Sequence, residues 1–243
     1  MIFIKRTKLI LDCFTSNPSA FEWAKPDHAV KFIPEWWKNL PKVDDRQFAA
    51  QANMKQCAGF VDYFRSGIAL PMWSDLDVKT GPVGDDSYAW QYSDGESHAT
   101  SHNPQESGSF LNPKEVLHLK LIYPWRFLCS EKINWVWTQF GWQKPINVTY
   151  QVLPGVLSFK YQTGANINIV FQKQKTESLT QFKFRTPIVY MSPLSDKKVV
   201  LKHHMVSAEE FSNMQKKVVR SSFVGAYNKI KKYMEADAKC PMK

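Results

Sequence analysis

A mainly β (α+β) fold is predicted for this chain: an antiparallel β-sandwich or a jelly-roll/cupin-like barrel, with short N-terminal helices and a C-terminal amphipathic helix. Three observations predict it. Between Glu115 and Leu194 the segments VLHLKLIY, WRFLCS, INWVWTQF, NVTYQVL, GVLSFKY, NINIVFQ, LTQFKF and PIVYMSPL are separated by turn residues, as in half-buried strands of packed sheets. No strand–helix–strand alternation accompanies them, which argues against a doubly wound parallel sheet. After Ser207 the apolar spacing becomes helical.

The bulk composition is consistent with such a fold. The chain has 243 residues, 44% hydrophobic and 14% aromatic, which is ample for a packed core. The division expected is one β-rich domain over residues 1–200 and a helix over 207–240 that packs on it or extends from it. Nine tryptophans are a high count. Each has a large apolar ring and one N–H donor, so some are expected to line a groove or interface. The net charge of +10 admits anionic partners such as nucleic acid. Residues 196–243 carry 11 Lys/Arg against 5 Asp/Glu, while residues 75–96 carry 6 acids and one base. The plainer account of the basic end is a solvated helix face.

Cys13, Cys57, Cys129 and Cys240 are far apart and form no CxxC pair, which excludes the usual zinc-ribbon and redox spacings. They read as free, buried thiols in a reducing compartment. The first residues, MIFIKRTKLILDCF, place charges within an apolar run and show no small-residue cleavage site, so no secretory leader is expected. No apolar run reaches the roughly 18 residues of a membrane span, so a soluble protein with no membrane partner is expected.

Taken in order, residues 2–14 read as a strand with Leu9, Leu11 and Cys13 on one face and Lys8 and Asp12 on the other. SNPSAFEW turns the chain through a short helical segment. Pro34 opens a short helix, Glu35 to Lys38, that Pro41 ends. The neighbours Trp36 and Trp37 then point in different directions, one to the core and one to a groove. Cys57, Phe60, Val61 and Phe64 fall at helical spacing, and Gly67 is the stop. Ile68 to Trp73 reads as a buried strand that continues through SDLDV. KTGPVGDDS is a hairpin-type turn and Ser87 to Tyr92 the returning strand. Residues 93–114 are the longest loop-like segment, where function often resides. Trp135 and Trp137 share a strand face, which is either core or a stacking platform, core being the better account. Ser207 and Glu210 form a capping box that opens the last helix, with Lys216, Lys217, Lys229, Lys231 and Lys232 largely off its apolar face.

Candidate chemistry centres on His98 and His102. With a carboxylate from Asp94, Glu96 or Glu106, they would form a two-histidine, one-carboxylate set for a divalent metal, Fe or Zn, as in a cupin-like oxygenase. One of His203 and His204 would supply a further ligand, because strand neighbours face opposite ways. Asp75, Asp77, Asp85, Asp86, Asp94 and Glu96 are candidates for an acid/base pair, although solvated turns explain them as well. The DDSYAWQYSDGE order does not match a calcium loop, and no phosphate loop or nucleophile elbow occurs.

The segments KFIPEWWKNLP, KQCAGFVDYFRSGIALPMWSDLDV, SHNPQES, YPWRF, LPGVLSF and TPIVYMSPL, in this order, resemble a family of hypothetical proteins from tailed bacteriophages and some bacteria, whose shared domain has no assigned function. The resemblance spans about residues 28–200 and implies a phage-type accessory protein. Such a protein would act in the host cytoplasm during infection or in the virion. Where such relatives read His-Pro-Pro-Glu-Gln, this chain has His102-Asn103-Pro104-Gln105-Glu106.

Together these readings give a first expectation: a binding protein for an unidentified protein or small molecule. Its aromatic groove would be formed by Trp36 or Trp37, Trp73 and Trp125, with Gln105 at the edge. A metal-dependent enzyme using His98 and His102 is the second, and a nucleic-acid-associated protein using the basic helix is the third.

Overall fold

The structure is a computed structural model that describes residues 7–41, 54–102, 110–143, 149–219 and 232. The chain is mainly β. Its first strand, β1 (Lys8–Thr15), lies between two partners. It runs parallel to β14 (Lys198–Met205) and antiparallel to the far end of β7 (Val116–Leu128). On its other side β7 pairs with β11 (Gly164–Gln172), which pairs with β9 (Tyr150–Val152). A short strand, β6 (Ala99–Ser101), flanks the middle of β7 and completes a six-stranded first sheet. A second sheet has the order β10 (Gly155–Leu157), β8 (Trp135–Gln139), β13 (Pro187–Pro193), β3 (Ile68–Pro71), β2 (Asp27–His28). In the third sheet β4 (Leu76–Thr80) lies between β12 (Ser178–Phe182) and β5 (Tyr88–Tyr92).

The inward faces of all three sheets meet in one core, a sandwich-type arrangement. Alternation decides which side chains enter it. From the first sheet come Leu9, Leu11, Leu119, Leu121, Ile167 and Ile169; from the second, Ile68, Leu70, Trp135 and Met191; from the third, Leu76 and Val78. Each such side chain contributes about 1.5–3 kcal/mol by leaving water. Trp135 and Trp137 are both core residues, as their shared strand face implies.

The second sheet is covered on its other face too. Ala69, Phe140 and Tyr190 pack there against Phe60 and Phe64 of α3 (Ala58–Ser66), with Trp36 and Trp37 of α2 (Glu35–Lys38) above them. This double coverage explains why all four residues of β3 are buried. Helix α1 (Pro18–Trp23) is capped by Asn17, whose side chain accepts from the Ala20 N–H at 2.9 Å. The predicted capping box opens α4 (Ala208–Val219): the Glu210 N–H donates to Ser207 Oγ at 3.2 Å, and the Ser207 N–H donates to Glu210 at 3.0 Å.

Five features depart from the sequence reading. The strand from Ile68 ends at Pro71, and Leu76 opens a strand of a different sheet. Pro124 does not end β7, which continues to Leu128. The β11 register shifts between Gly164 and Asn166, opposite Pro124, so no ladder bond is asked of the missing N–H. The loop-like stretch after residue 93 contains β6. The Lys198–Met205 segment is a strand, and its pairing with β1 is parallel, so the first sheet is not wholly antiparallel. Of the cysteines, Cys13 and Cys129 are buried but Cys57 is exposed, because it stands just ahead of α3. Cys240 and most of the predicted 207–240 helix lie outside the described residues.

Candidate functional site

The four tryptophans expected to form one groove are dispersed. Trp125 is fully buried, and its indole N–H donates to the Ala24 carbonyl at 3.1 Å. Trp73 is also buried, packed against Tyr92, His98 and Tyr123 with ring centroids 5.3–5.9 Å apart. Trp36 and Trp37 are on the far side of the second sheet, both half-buried. Trp37 stacks on Phe60 at 5.5 Å and Trp36 meets the same ring edge-on at 5.9 Å. The Trp37 indole donates to the Met54 carbonyl at 3.4 Å and the Trp36 indole to the Trp142 carbonyl at 2.8 Å. Instead of one entering the core and the other a groove, the pair clasps Phe60. Gln105 lies outside the described residues.

His98 and His102 do not converge. They stand at either end of β6, four residues apart, which at a strand rise of about 3.3 Å separates them by about 13 Å. His98 is bonded to Asp94 at 3.1 Å, and its ring packs on Trp73 and Tyr92. His102 stacks on His118 with centroids 4.3 Å apart and planes 21° apart. Among the described residues no group of three His, Cys, Asp or Glu side chains is arranged to hold a metal. The His102–His118 pair has unsuitable geometry as well. Near-parallel stacked imidazoles send their nitrogen lone pairs out side by side, whereas two zinc or iron ligands must aim at one point about 2 Å away.

His203 and His204 take opposite faces, as strand neighbours must. His203 Nε2 donates to the Pro26 carbonyl at 2.8 Å beside Trp125. His204 stacks on Phe14 and meets Asp12 at 2.8 Å. Neither approaches the His102 stack. Most of the carboxylates considered as an acid/base pair have local partners: Asp75 has Lys183 at 3.5 Å, Asp77 has Gln181 at 3.0 Å, and Asp85 has Ser87. The two Ser87 bonds hold the Asp85 carboxyl below its ordinary range.

The structure does assemble a site around His102, from residues the sequence did not connect. At the start of β7, beyond the end of β6, a cavity of about 200 Å3 is bordered by Tyr88, Ser101, His102, Val116, His118 and Lys173. Leu111, Pro113 and Leu117 add apolar wall and Asp86 is also at its border. The ladder explains the histidine stack. The His102 N–H donates to the His118 carbonyl at 3.0 Å, which extends the β6–β7 pairing and sets the two rings side by side. Both Nε2 atoms then reach Asn168 Oδ1, at 3.1 and 3.3 Å. An amide oxygen only accepts, so both Nε2 atoms carry their protons.

Lys173 also borders the cavity and is only 4% exposed. It follows β11 in the inward register of Ile167, Ile169 and Phe171, and so its side chain enters where a core residue would. Its ammonium donates to the carbonyls of Pro113 at 2.8 Å and of Asp85. These bonds tie the 81–87 loop and the turn before β7 to the end of β11. The Gly84 N–H adds a bond to the Lys114 carbonyl at 2.9 Å, with Gly84 at φ +94°, a value that favours glycine. A lysine continuing the inward face of an alternating strand was the available sequence signal for this site; His118, in the outward register of VLHLKLIY, offered none.

No helix of the described residues is long and apolar enough to cross a membrane. Of the basic C-terminal helix, side chains are described only as far as Met214 and at Lys232. Compared with known proteins, the chain matches no family model, no curated protein and no solved structure.

Proposed function

We propose that this chain is a phage-type accessory protein that acts by binding, with a small molecule seated in the His102–His118–Lys173 cavity. The observation that carries the reading is the cavity itself, where apolar walls from Leu111, Pro113 and Leu117 surround a few polar groups contributed by separate elements. This is the usual build of a small-ligand site. Binding is favoured over catalysis because both histidines direct a protonated Nε2 at one amide oxygen, which engages those two nitrogens in holding the rings in place. The phage-type part of the reading rests on the resemblance over residues 28–200 and does not bear on the ligand.

The test is a 1H–15N titration of the isotope-labelled chain with small aromatic and aliphatic acids and amides. Shifts are expected to cluster at residues 86–88, 101–102, 111–118 and 173. Ser101→Trp, at an exposed rim position, is expected to fill the cavity mouth and abolish them while the protein stays folded. Shifts centred on Trp73 or on the Trp36–Trp37 cluster, or shifts that Ser101→Trp leaves unchanged, would overturn the assignment.

A further inference from the structure

A buried lysine is expensive unless its charge is answered. Lys173 is 4% exposed, and among the described residues no carboxylate lies within ion-pair distance of its ammonium. Two of its three N–H donors meet the neutral carbonyls of Asp85 and Pro113. Nothing among the described residues takes the third, and Lys173 forms part of the cavity wall. Lys173 helps to hold the nearby Asp85 carboxyl below its ordinary range, but among the described residues no carboxylate touches the ammonium, so the site has a buried positive charge and one donor without a direct anionic partner.

Resting on the reading of this cavity as a ligand site, we infer that its ligand is a small organic carboxylate, whose anionic oxygen accepts from the Lys173 ammonium and whose hydrocarbon body lies against Leu111, Pro113 and Leu117. The hydroxyls beside it fit this orientation. Tyr88 donates to Ser101 Oγ at 3.3 Å, which leaves the Ser101 hydroxyl hydrogen to donate to a carboxylate oxygen. The charge count selects a monoanion. Among the described residues at its border Lys173 is the one ammonium or guanidinium, and Asp86 is an exposed carboxylate there, so a phosphate dianion would meet repulsion that a carboxylate meets only once. A neutral compound of the same shape would fill the walls and leave the ammonium without a direct anionic partner.

Benzoate, benzamide and inorganic phosphate separate these possibilities on the intact chain. Affinities come from 1H–15N titration, and the Lys173 ammonium resonance is followed in 15N-lysine-labelled protein. Benzoate is expected to bind about tenfold or more tightly than benzamide, the difference of one charge-assisted bond. It is also expected to shift the Lys173 ammonium more than any other lysine. Lys173→Met is expected to remove that preference and leave benzamide binding intact. Because Lys173 also ties two loops together, the wild-type ammonium shift is the readout that does not depend on the variant folding. Equal binding of benzoate and benzamide at the cavity would overturn the anion inference and leave the ligand-site reading standing. Competition by phosphate at equal strength would overturn the choice of a monoanion. If no cavity resonance responds to either ring compound, the ligand-site reading fails and takes this inference with it.

Discussion

Gly67→Ala should destabilise the protein, although its backbone position suits alanine. Gly67 has φ −94° and ψ 169°, extended values that any residue adopts. An added Cβ would fall inside the Tyr190 ring, in overlap with Cε2 and Cζ and 2.6 Å from the hydroxyl oxygen. That ring is fixed. It stacks on Tyr63 at 4.0 Å with planes 12° apart, and its hydroxyl donates to the Tyr63 carbonyl at 2.8 Å. Displacing it forfeits a stack worth about 0.5–1.5 kcal/mol and a hydrogen bond worth about 0.5–1.5 kcal/mol. Keeping it in place strains the backbone by about 1–3 kcal/mol. Whichever way it relaxes, the loss is about 1–3 kcal/mol. In a Tyr190→Ala background the clash is gone and the sign reverses. There Gly67→Ala should stabilise by about 0.4–1 kcal/mol, through the lower entropy of the unfolded chain. Urea denaturation of the wild type, both single variants and the double variant measures the coupling, expected at about 2 kcal/mol. A Gly67→Ala cost that is the same in both backgrounds, or no cost in the wild type, would refute the account of this glycine.

Three further outcomes are expected. Burial holds the His203 imidazole below its ordinary value of 6.5, so the folded state favours the neutral ring. The unfolded chain then binds more protons as pH falls below 6.5, and stability drops through that window. His203→Gln should flatten this part of the stability–pH curve; an unchanged curve would rule His203 out as its source. Glu210 is held below its ordinary 4.5 by Ser207, so its contribution to the start of α4 is present above that value and is lost as pH falls through the lower folded value. The protection factors of the Glu210 and Phe211 amides, with the intrinsic pH dependence of exchange divided out, should fall in acid, and Ser207→Ala should produce the same fall at neutral pH. In a Cys240→Ala background a thiol reagent should label Cys57 at once and reach Cys13 and Cys129 only on unfolding, because burial pushes both of those thiols up. Fast labelling of Cys13 in the folded protein would contradict its place in the core.

The strands were legible wherever one face meets the core and the other meets water, because alternation then records the fold locally. Leu9, Leu11 and Cys13 of β1, and Leu119 and Leu121 of β7, show this. The capping box of α4 and the short helix at Glu35 were legible for a similar reason, since their hydrogen bonds join residues three or four apart. Legibility failed where a partner distant in sequence decides the outcome. Pro124 continues a strand because a register shift in β11 lies opposite it. Gly67 reads as a helix stop, yet it serves to let the Tyr190 ring pass. Trp36 and Trp37 look like one inside and one outside, but a helix layer on the second sheet encloses both around Phe60.

The candidate site shows the same division. His102 was identified from its polar loop, but its sequence neighbour in the predicted pair, His98, belongs to a different cluster, while its structural neighbour, His118, comes from β7. What the sequence determined by itself was the β class, most strand faces, the helix starts and the presence of a polar segment around His102, because each depends on near-neighbour periodicity or capping. Only the tertiary structure decided the parallel β1–β14 pairing, the stacking of His102 on His118 and the burial of the Lys173 charge beside a cavity. Each of these joins residues 16 to 190 positions apart, and no local pattern carries the register that brings them together.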